Sequence, residues 1–282
     1  MKKKTILITG CSSGIGLCVA EGLKHRGYRV FASARKDEDV LKLKENGFED
    51  ALQLDLDDSL SIDNAVKRVL QKTNGELYAL FNNGAYGQAG AVEDLTRETL
   101  RKNFETNLFG THELTTHIIP VMREQGYGRI IQNSSLLGYV NLPYRGSYNA
   151  TKHALEGLTD TLRLELHNTN IKVSLIEPGP VESRFRANAF AAYQRNINKE
   201  NSYHKEVYEA MERRLTKEGP AAPFTLPPEA VLKKVIHALE SPSPQVRYYV
   251  TFPSYLFGTL KRVLSSRMLD KVLLAVSKGE QK

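Results

Sequence analysis

Residues 4–9 form a short apolar run that ends directly in Thr9-Gly10-Cys11-Ser12-Ser13-Gly14-Ile15-Gly16, after which Val19 and Leu23 recur at helical spacing. A buried strand that turns through glycine into a helix leaves few folds open, because the helix must pack back on its own strand. The alternation then continues. Apolar β-type runs lie at 28–33, 51–54, 77–81, 129–133 and 171–176, with helical patterns between them, such as Ile62, Val66, Val69 and Leu70 after Asp57. Strands alternating with helices imply right-handed crossovers and a parallel sheet covered on both faces. Near-continuous apolar strands fit that burial. A last run at 246–251 completes a sheet of about seven strands, so the fold class is α/β, a doubly wound parallel sheet.

No repeat, low-complexity tract or linker interrupts the chain, and residues 1–282 read as a single domain. Residues 184–228 depart from the rhythm: they are polar and mostly helical, with aromatics at Phe185, Phe190, Tyr193, Tyr203, Tyr208 and Phe224. Pro220, Pro223, Pro227 and Pro228 close the segment, and a long insertion after a strand end is expected to cover a binding site. Residues 252–282 form an amphipathic extension. Leu256, Leu260, Val263, Leu264, Leu269, Val272, Leu273 and Val276 recur at helical spacing beside Lys261, Arg262, Arg267 and Lys271. A basic amphipathic helix can lie on an anionic membrane. Packing against the domain, the site entrance or a sister subunit is the favoured reading, and peripheral membrane contact the lesser one.

With 41% hydrophobic and 25% charged residues the composition is that of an ordinary globular protein. No apolar run approaches the ~18 residues that would span a bilayer, and the apolar start is too short for a signal peptide. A cytoplasmic location is expected. The two cysteines, Cys11 and Cys18, have no His at metal-ligand spacing, so neither a zinc site nor a disulfide framework is expected; Cys11 reads as a small buried filler. Net charge is +7, but the Lys and Arg residues are dispersed and no nucleic-acid motif accompanies them. A basic pocket for a phosphate-bearing ligand and a basic tail account for that charge.

The glycine turn is the natural phosphate site. Gly10 permits the tight turn, Gly14 lets the backbone approach a pyrophosphate, and Gly16 lets the helix lie close on the sheet. Free N–H groups of Ser12, Ser13, Gly14 and Ile15, with the helix dipole, then favour an anion. Sheet and turn together make the fold Rossmann-type. An acid at the end of the second strand would select NAD by binding the ribose 2′-hydroxyl. The chain reads Ser33-Ala34-Arg35-Lys36 instead, and Arg35 offers a bidentate grip on a 2′-phosphate. NADP(H) is the expected cofactor, and no metal is expected.

On these residues the chain resembles the short-chain dehydrogenase/reductase family, strongly over residues 5–185. Thr9, Gly10, Gly14 and Gly16 match its glycine motif, and Asp55 with Leu56 matches its adenine-contacting acid. Asn82-Asn83-Gly84-Ala85 stands for its Asn-Asn-Ala-Gly stretch, with the two small residues exchanged. Asn107, Ser135, Tyr148 and Lys152 match its catalytic set, and Pro178-Gly179, Val181 and Ser183 its nicotinamide-side loop. The chain is similar to the hydroxysteroid and retinol dehydrogenase-like branches and to bacterial NADP-dependent aldehyde reductases. The resemblance implies hydride transfer between nicotinamide and a carbonyl or alcohol carbon, and a homodimer or homotetramer built through the helices of Asn107 and Tyr148. It also implies that Lys152 reaches the nicotinamide ribose, and that Asn107 holds a water relaying protons from Lys152.

Residue chemistry fits that activity. Tyr148 and Lys152, at i and i+4, project from one helix face. A free tyrosine has pKa ~10, and a neighbouring ammonium is expected to lower it by ~1–3 units, suiting Tyr148 as general acid and base. Ser135, at the carboxyl end of the fifth strand, can bind the substrate oxygen. Ser134 competes with it, and the family's spacing of thirteen residues before the Tyr selects Ser135. His112, His117 and His153 show no partner pattern. Tyr86, Leu136, Leu137, Leu142, Pro143 and Tyr144, with the aromatic covering segment, point to a small apolar carbonyl or alcohol substrate rather than a polyol. Two other classes remain open: a non-catalytic NADP-binding regulator, against which the intact Asn107, Ser135, Tyr148 and Lys152 set argues, and a sugar-nucleotide epimerase or dehydratase, which would need a separate substrate domain.

Overall fold

The computed structural model describes residues 3–220 and 222–280. Seven strands run β1 (Thr5–Ile8), β2 (Arg29–Ala34), β3 (Leu52–Gln53), β4 (Ala79–Asn82), β5 (Gly128–Asn133), β6 (Ile171–Glu177) and β7 (Arg247–Tyr249). They form one sheet in the order β3-β2-β1-β4-β5-β6-β7, with every pairing parallel. The first six helices are α1 (Gly14–His25), α2 (Asp37–Glu45), α3 (Ser59–Thr73), α4 (Arg97–Phe104), α5 (Gly110–Gln125) and α6 (Gly146–Glu165). Then come α7 (Phe185–Asn196), α8 (Lys205–Thr216), α9 (Glu229–Glu240), α10 (Phe252–Val263) and α11 (Ser266–Glu280). No described helix is long and apolar enough to cross a membrane.

The sheet separates two cores. Successive strand residues point to opposite faces, so Ile6 and Ile8 join α1 and α9 through Val19, Leu23, Val231 and Val235. Leu7, Phe31 and Leu80 face α3 and α5 through Ile62, Val69, Leu114 and Ile118. Both faces being covered explains why the strands are apolar without alternation. Strand order reverses direction between β1 and β4, and ligands in such sheets bind outside the carboxyl ends at that point. β3 is shorter than the apolar run at 51–54, because it pairs only with the end of β2.

Two expectations change on packing. The extension is not one continuous helix: Leu264 is extended (φ −93°, ψ 145°), and α11 starts afresh after Ser265. Its buried residues Phe257, Leu269 and Leu273 pack on Leu136, Leu137, Val140 and Tyr148, so this part of the extension covers the carboxyl edge of the sheet. The aromatics of 184–228 also do less lining than expected. Tyr193 and Tyr208 are buried with Ala89, Ala91, Met211 and Leu215 in a core of their own, with Phe190 packed against it. The Tyr208 phenol accepts from Ala91 N and meets Asp94, Tyr203 is exposed, and Phe224 meets Phe252 with the rings tilted.

Candidate active site

A cavity of about 700 Å³ opens over the carboxyl ends of β1, β4, β5 and β6, roofed by the start of α7 and by Arg214, Gly219, Pro220, Ala222 and Thr225. At one end lies the glycine turn. Gly10 and Gly14 adopt φ +69° and +58°, which L side chains rarely do. Ser13 caps α1 in extended conformation without a side-chain bond, and the first turn carries no acid. Its N–H groups are thus left for a ligand. A Cβ on Gly16 would lie 2.2 Å from the Gly10 carbonyl oxygen, and one on Gly14 2.9 Å from the Ser183 Cβ. This closely drawn turn, without acidic groups and lined by Ser12, Ser13 and Ile15, fits the pyrophosphate of a dinucleotide, with Val181 and Ser183 on the facing wall. Cys11 is buried behind it, donating to Ile8 O at 3.3 Å, and burial pushes its thiol up to about 12. It is a filler, as expected.

The Asn-Asn-Gly-Ala stretch is pinned to this turn. Thr9 Oγ1 accepts from Asn83 N at 2.8 Å and Gly84 N at 2.7 Å. A Cβ at position 84 would lie 2.9 Å from Leu56 Cδ1, the movable end of a side chain. Asn82 corrects an expectation. Its amide donates away from the cavity, to Thr115 Oγ1 of α5 at 2.8 Å, and Asn83 lines the cavity instead. Asn83 Nδ2 donates to Thr9 O, and Asn133 Nδ2 donates to Asn83 Oδ1 at 2.9 Å. Lys152 Nζ in turn donates to Asn133 O at 2.6 Å. Asn83 and Asn133, which sequence reasoning passed over, therefore connect the phosphate turn to Lys152 in one chain of bonds.

At the other end stand Ser135, Tyr148 and Lys152, all on the cavity wall. The Ser135 hydroxyl faces the Tyr148 phenol and lowers its proton affinity, and Ser135 Oγ accepts from Leu137 N at 3.1 Å. Ser134 is buried and also borders the cavity, with its hydroxyl facing Glu156. The Tyr148 ring meets Phe185 edge-on at 5.2 Å, the one aromatic of the covering segment on this wall. Burial raises the Tyr148 phenol well above its ordinary value, and the Ser135 hydroxyl offsets only part of that. Lys152 Nζ lies 5.7 Å from the Tyr148 ring centre. Burial pulls its ammonium down to about 8 against the field of Glu156, which raises it. The expected lowering of the tyrosine by the lysine is thus outweighed here by desolvation of both groups.

Other expected residues lie off this cavity. Asn107 is buried in a π-helical turn between α4 and α5. Its amide grips the backbone of Tyr86 (Oδ1 from N at 3.1 Å, Nδ2 to O at 3.0 Å) and donates to Thr151 Oγ1 at 3.2 Å, beside Lys152 in sequence. Tyr86 does not line the cavity: its phenol feels Arg195, Asp57 and Arg35. Pro143 and Tyr144 also stand outside, while Leu136, Leu137 and Leu142 line it. Arg35 is exposed at the end of β2. Asp55 accepts from Asp57 N at 3.1 Å, and Leu56 is buried. Burial and the neighbouring Asp55 raise the Asp57 carboxyl, and Lys102 and Arg35 offset only part of that. The corner at Arg35 therefore holds a second cation and an acid that the strand end alone did not reveal. His117 has a partner after all, Asp63 at 3.2 Å.

Residues 4–194 match the short chain dehydrogenase family. The oxidoreductase YbbO of Escherichia coli is 42% identical over 271 residues, 96% of this chain and 94% of that one. An NADPH-dependent 3-dehydrocapnine reductase of Ornithobacterium rhinotracheale is 32% identical over 94% of each chain. Among solved structures, a short-chain dehydrogenase from Streptomyces avermitilis superposes with a TM-score of 0.79 at 30% identity, over 99% of this chain and 98% of that one. A doubly wound sheet, a glycine turn at its switch point and likeness over almost the whole length agree, and the chain is an oxidoreductase of the short-chain dehydrogenase family.

Proposed function

We propose that this protein is an NADP(H)-dependent reductase of apolar aldehydes or ketones, working in reverse as an alcohol dehydrogenase. The observation that carries the reading is that Ser135, Tyr148 and Lys152 share the wall of one cavity that begins at the glycine turn. The dinucleotide would lie on Gly10, Ser12, Ser13, Gly14 and Ile15, with Gly16 behind the turn and Val181 and Ser183 opposite. Asp55, Leu56 and Asn83 would border its adenosine half, Asn82 serving only through its backbone. When bound, it supplies the hydride, two electrons and one proton nucleus, to the carbonyl carbon.

The chain's own residues do the rest. Ser135 donates to the substrate oxygen and holds it against Tyr148. Tyr148, kept protonated by burial, gives its proton to that oxygen as the C–O π bond becomes an alcohol. Lys152, charged at and below neutrality, stabilises the tyrosinate that remains. Asn107 orders the backbone around Tyr86 and Thr151 and thereby the helix of Tyr148 and Lys152. Leu136, Leu137, Leu142 and Phe185 exclude water from the reacting carbon and suit a greasy substrate. Similarity to an NADPH-dependent 3-dehydrocapnine reductase supports a ketone within that class.

Following NADPH and NADH consumption across aldehydes, ketones, steroids, retinoids and long-chain 3-keto lipids tests this. Turnover with NADPH is the expected result, and NADPH binding without turnover of any of them would return the molecule to the regulator reading. The 2′-phosphate preference is assigned to Arg35, with Lys102 nearby. Losing one charge-assisted bond costs about 1.5–3 kcal/mol, so Arg35→Asp is expected to lower kcat/KM for NADPH about 10–100-fold relative to NADH. An unchanged ratio would take the phosphate away from Arg35.

A further inference from the structure

Behind Lys152, away from the cavity, lies a buried charge cluster that the reaction above does not use. Glu156 stands one turn beyond Lys152 on α6, and Glu177 is the last residue of β6. Glu177 is fully buried and Glu156 nearly so. One guanidinium serves both: Arg247 of β7 places Nη2 2.9 Å from Glu156 Oε2 and Nε 3.4 Å from Glu177 Oε1. The same Nη2 lies 2.8 Å from Asp160 Oδ2, and Arg163 Nη2 donates to Asp160 Oδ1 at 3.0 Å. Asp160, partly exposed, is thus served by two cations. The two glutamates are left with less than one. The two carboxyls meet at that one guanidinium, and neither Glu177 oxygen nor Glu156 Oε1 receives a hydrogen bond from any described group. The other groups facing them are the phenols of Tyr139 and Tyr249, both held neutral by burial, and the Ser134 hydroxyl, which faces Glu156. Two adjoining buried carboxylates on a shared cation cannot both stay ionised.

We propose that Glu156 and Glu177 share one proton, so that the pair carries a single negative charge, seated on Glu156, which holds the Lys152 ammonium in its charged form. The seat is Glu156 because Arg247 and Ser134 both face it, while Glu177 has the deeper position and the weaker contact. Burial raises both carboxyls, Glu177 further, and the charge on Glu156 raises Lys152. Glu156 is a positioning residue: it touches no substrate and acts through Lys152. The inference rests on the reading that Lys152 serves bound NADP(H) and Tyr148.

The test compares two isosteric variants with the wild type by NADPH fluorescence titration across pH, which needs no turnover. Lys152 losing its proton should weaken NADPH binding on the alkaline side. In E156Q the charge moves to Glu177, farther from Lys152, and that limb should shift down by about half a unit to one unit. In E177Q the charge stays on Glu156, and the limb should move by less than about 0.2 unit. Infrared spectra of the wild type at neutral pH should carry a protonated-carboxyl band that both variants lose. A larger shift in E177Q than in E156Q, or no such band in the wild type, overturns the proposal. If one variant fails to fold, the wild-type band and the other variant decide. Should carbonyl turnover survive Tyr148→Phe while the E156Q limb still shifts, the functional reading fails and this one stands.

Discussion

Replacing Tyr148 by Phe is expected to lower the proposed carbonyl reduction by about 10²–10⁴-fold, the usual worth of a positioned proton donor, while NADPH binding should stay within a few-fold of the wild type. The substitution removes one oxygen and leaves the ring, which lies edge-on to Phe185 and packs with Leu136, Leu137 and Phe257. Fold and cavity should therefore persist, and thermal melting separates loss of chemistry from loss of structure. The wild type also carries a predictable pH dependence. Lys152 has its proton affinity drawn down to about 8, so its charge is present below that pH and lost above it. At saturating NADPH, reduction should fall on the alkaline side as the tyrosinate loses its cation, and the Phe variant should lack that limb in its residual rate. Stopped or continuous NADPH absorbance assays across pH read both effects. A Phe variant as active as the wild type would remove Tyr148 from the reaction.

That prediction draws on residues legible in the sequence, and the reason is geometric. Tyr148 and Lys152 are four apart on one helix, so local spacing alone brings them together. The glycine turn is equally local, since strand, turn and helix are consecutive. What the sequence hid was carried by contacts between distant segments. Asn83 and Asn133 are fifty residues apart, and only the β4–β5 pairing lets Asn133 donate to Asn83 and offer its carbonyl to Lys152. Asn82 was misdirected by one position, because neighbouring strand residues face opposite sides and its side chain goes to Thr115. Aromatics at helical spacing in the covering segment gave no sign of whether they faced the cavity or one another, and Tyr193 and Tyr208 chose the latter. The proton-sharing glutamates needed β6, β7 and α6 to converge on Arg247.

Gly110 offers the sharpest test of how the sheet and its helices fit. A Cβ there would lie 1.7 Å from the Leu56 carbonyl oxygen and 2.6 Å from its carbon, so α5 rests directly on the backbone after β3. The obstacle is main chain and cannot rotate away. Gly110→Ala must lift the start of α5, whose Leu114, Ile118 and Met122 are fully buried in the core beneath it. Overpacking costs typically 1–3 kcal/mol, and a backbone obstacle places this substitution at the upper end, about 3 kcal/mol. For a chain of this size that lowers Tm by on the order of 6–10 °C. It should also disturb Asn107, three residues earlier in the π-helical turn, and so lower turnover alongside stability. Gly157, in the middle of α6, is the control: nothing lies within 4 Å of its Cβ position. There alanine removes the helix penalty of glycine, and Gly157→Ala should gain about 0.5–1 kcal/mol. The same chemical change thus has opposite signs at two helical glycines. Equal or reversed Tm shifts in the two variants would mean that α5 does not sit on Leu56 as described.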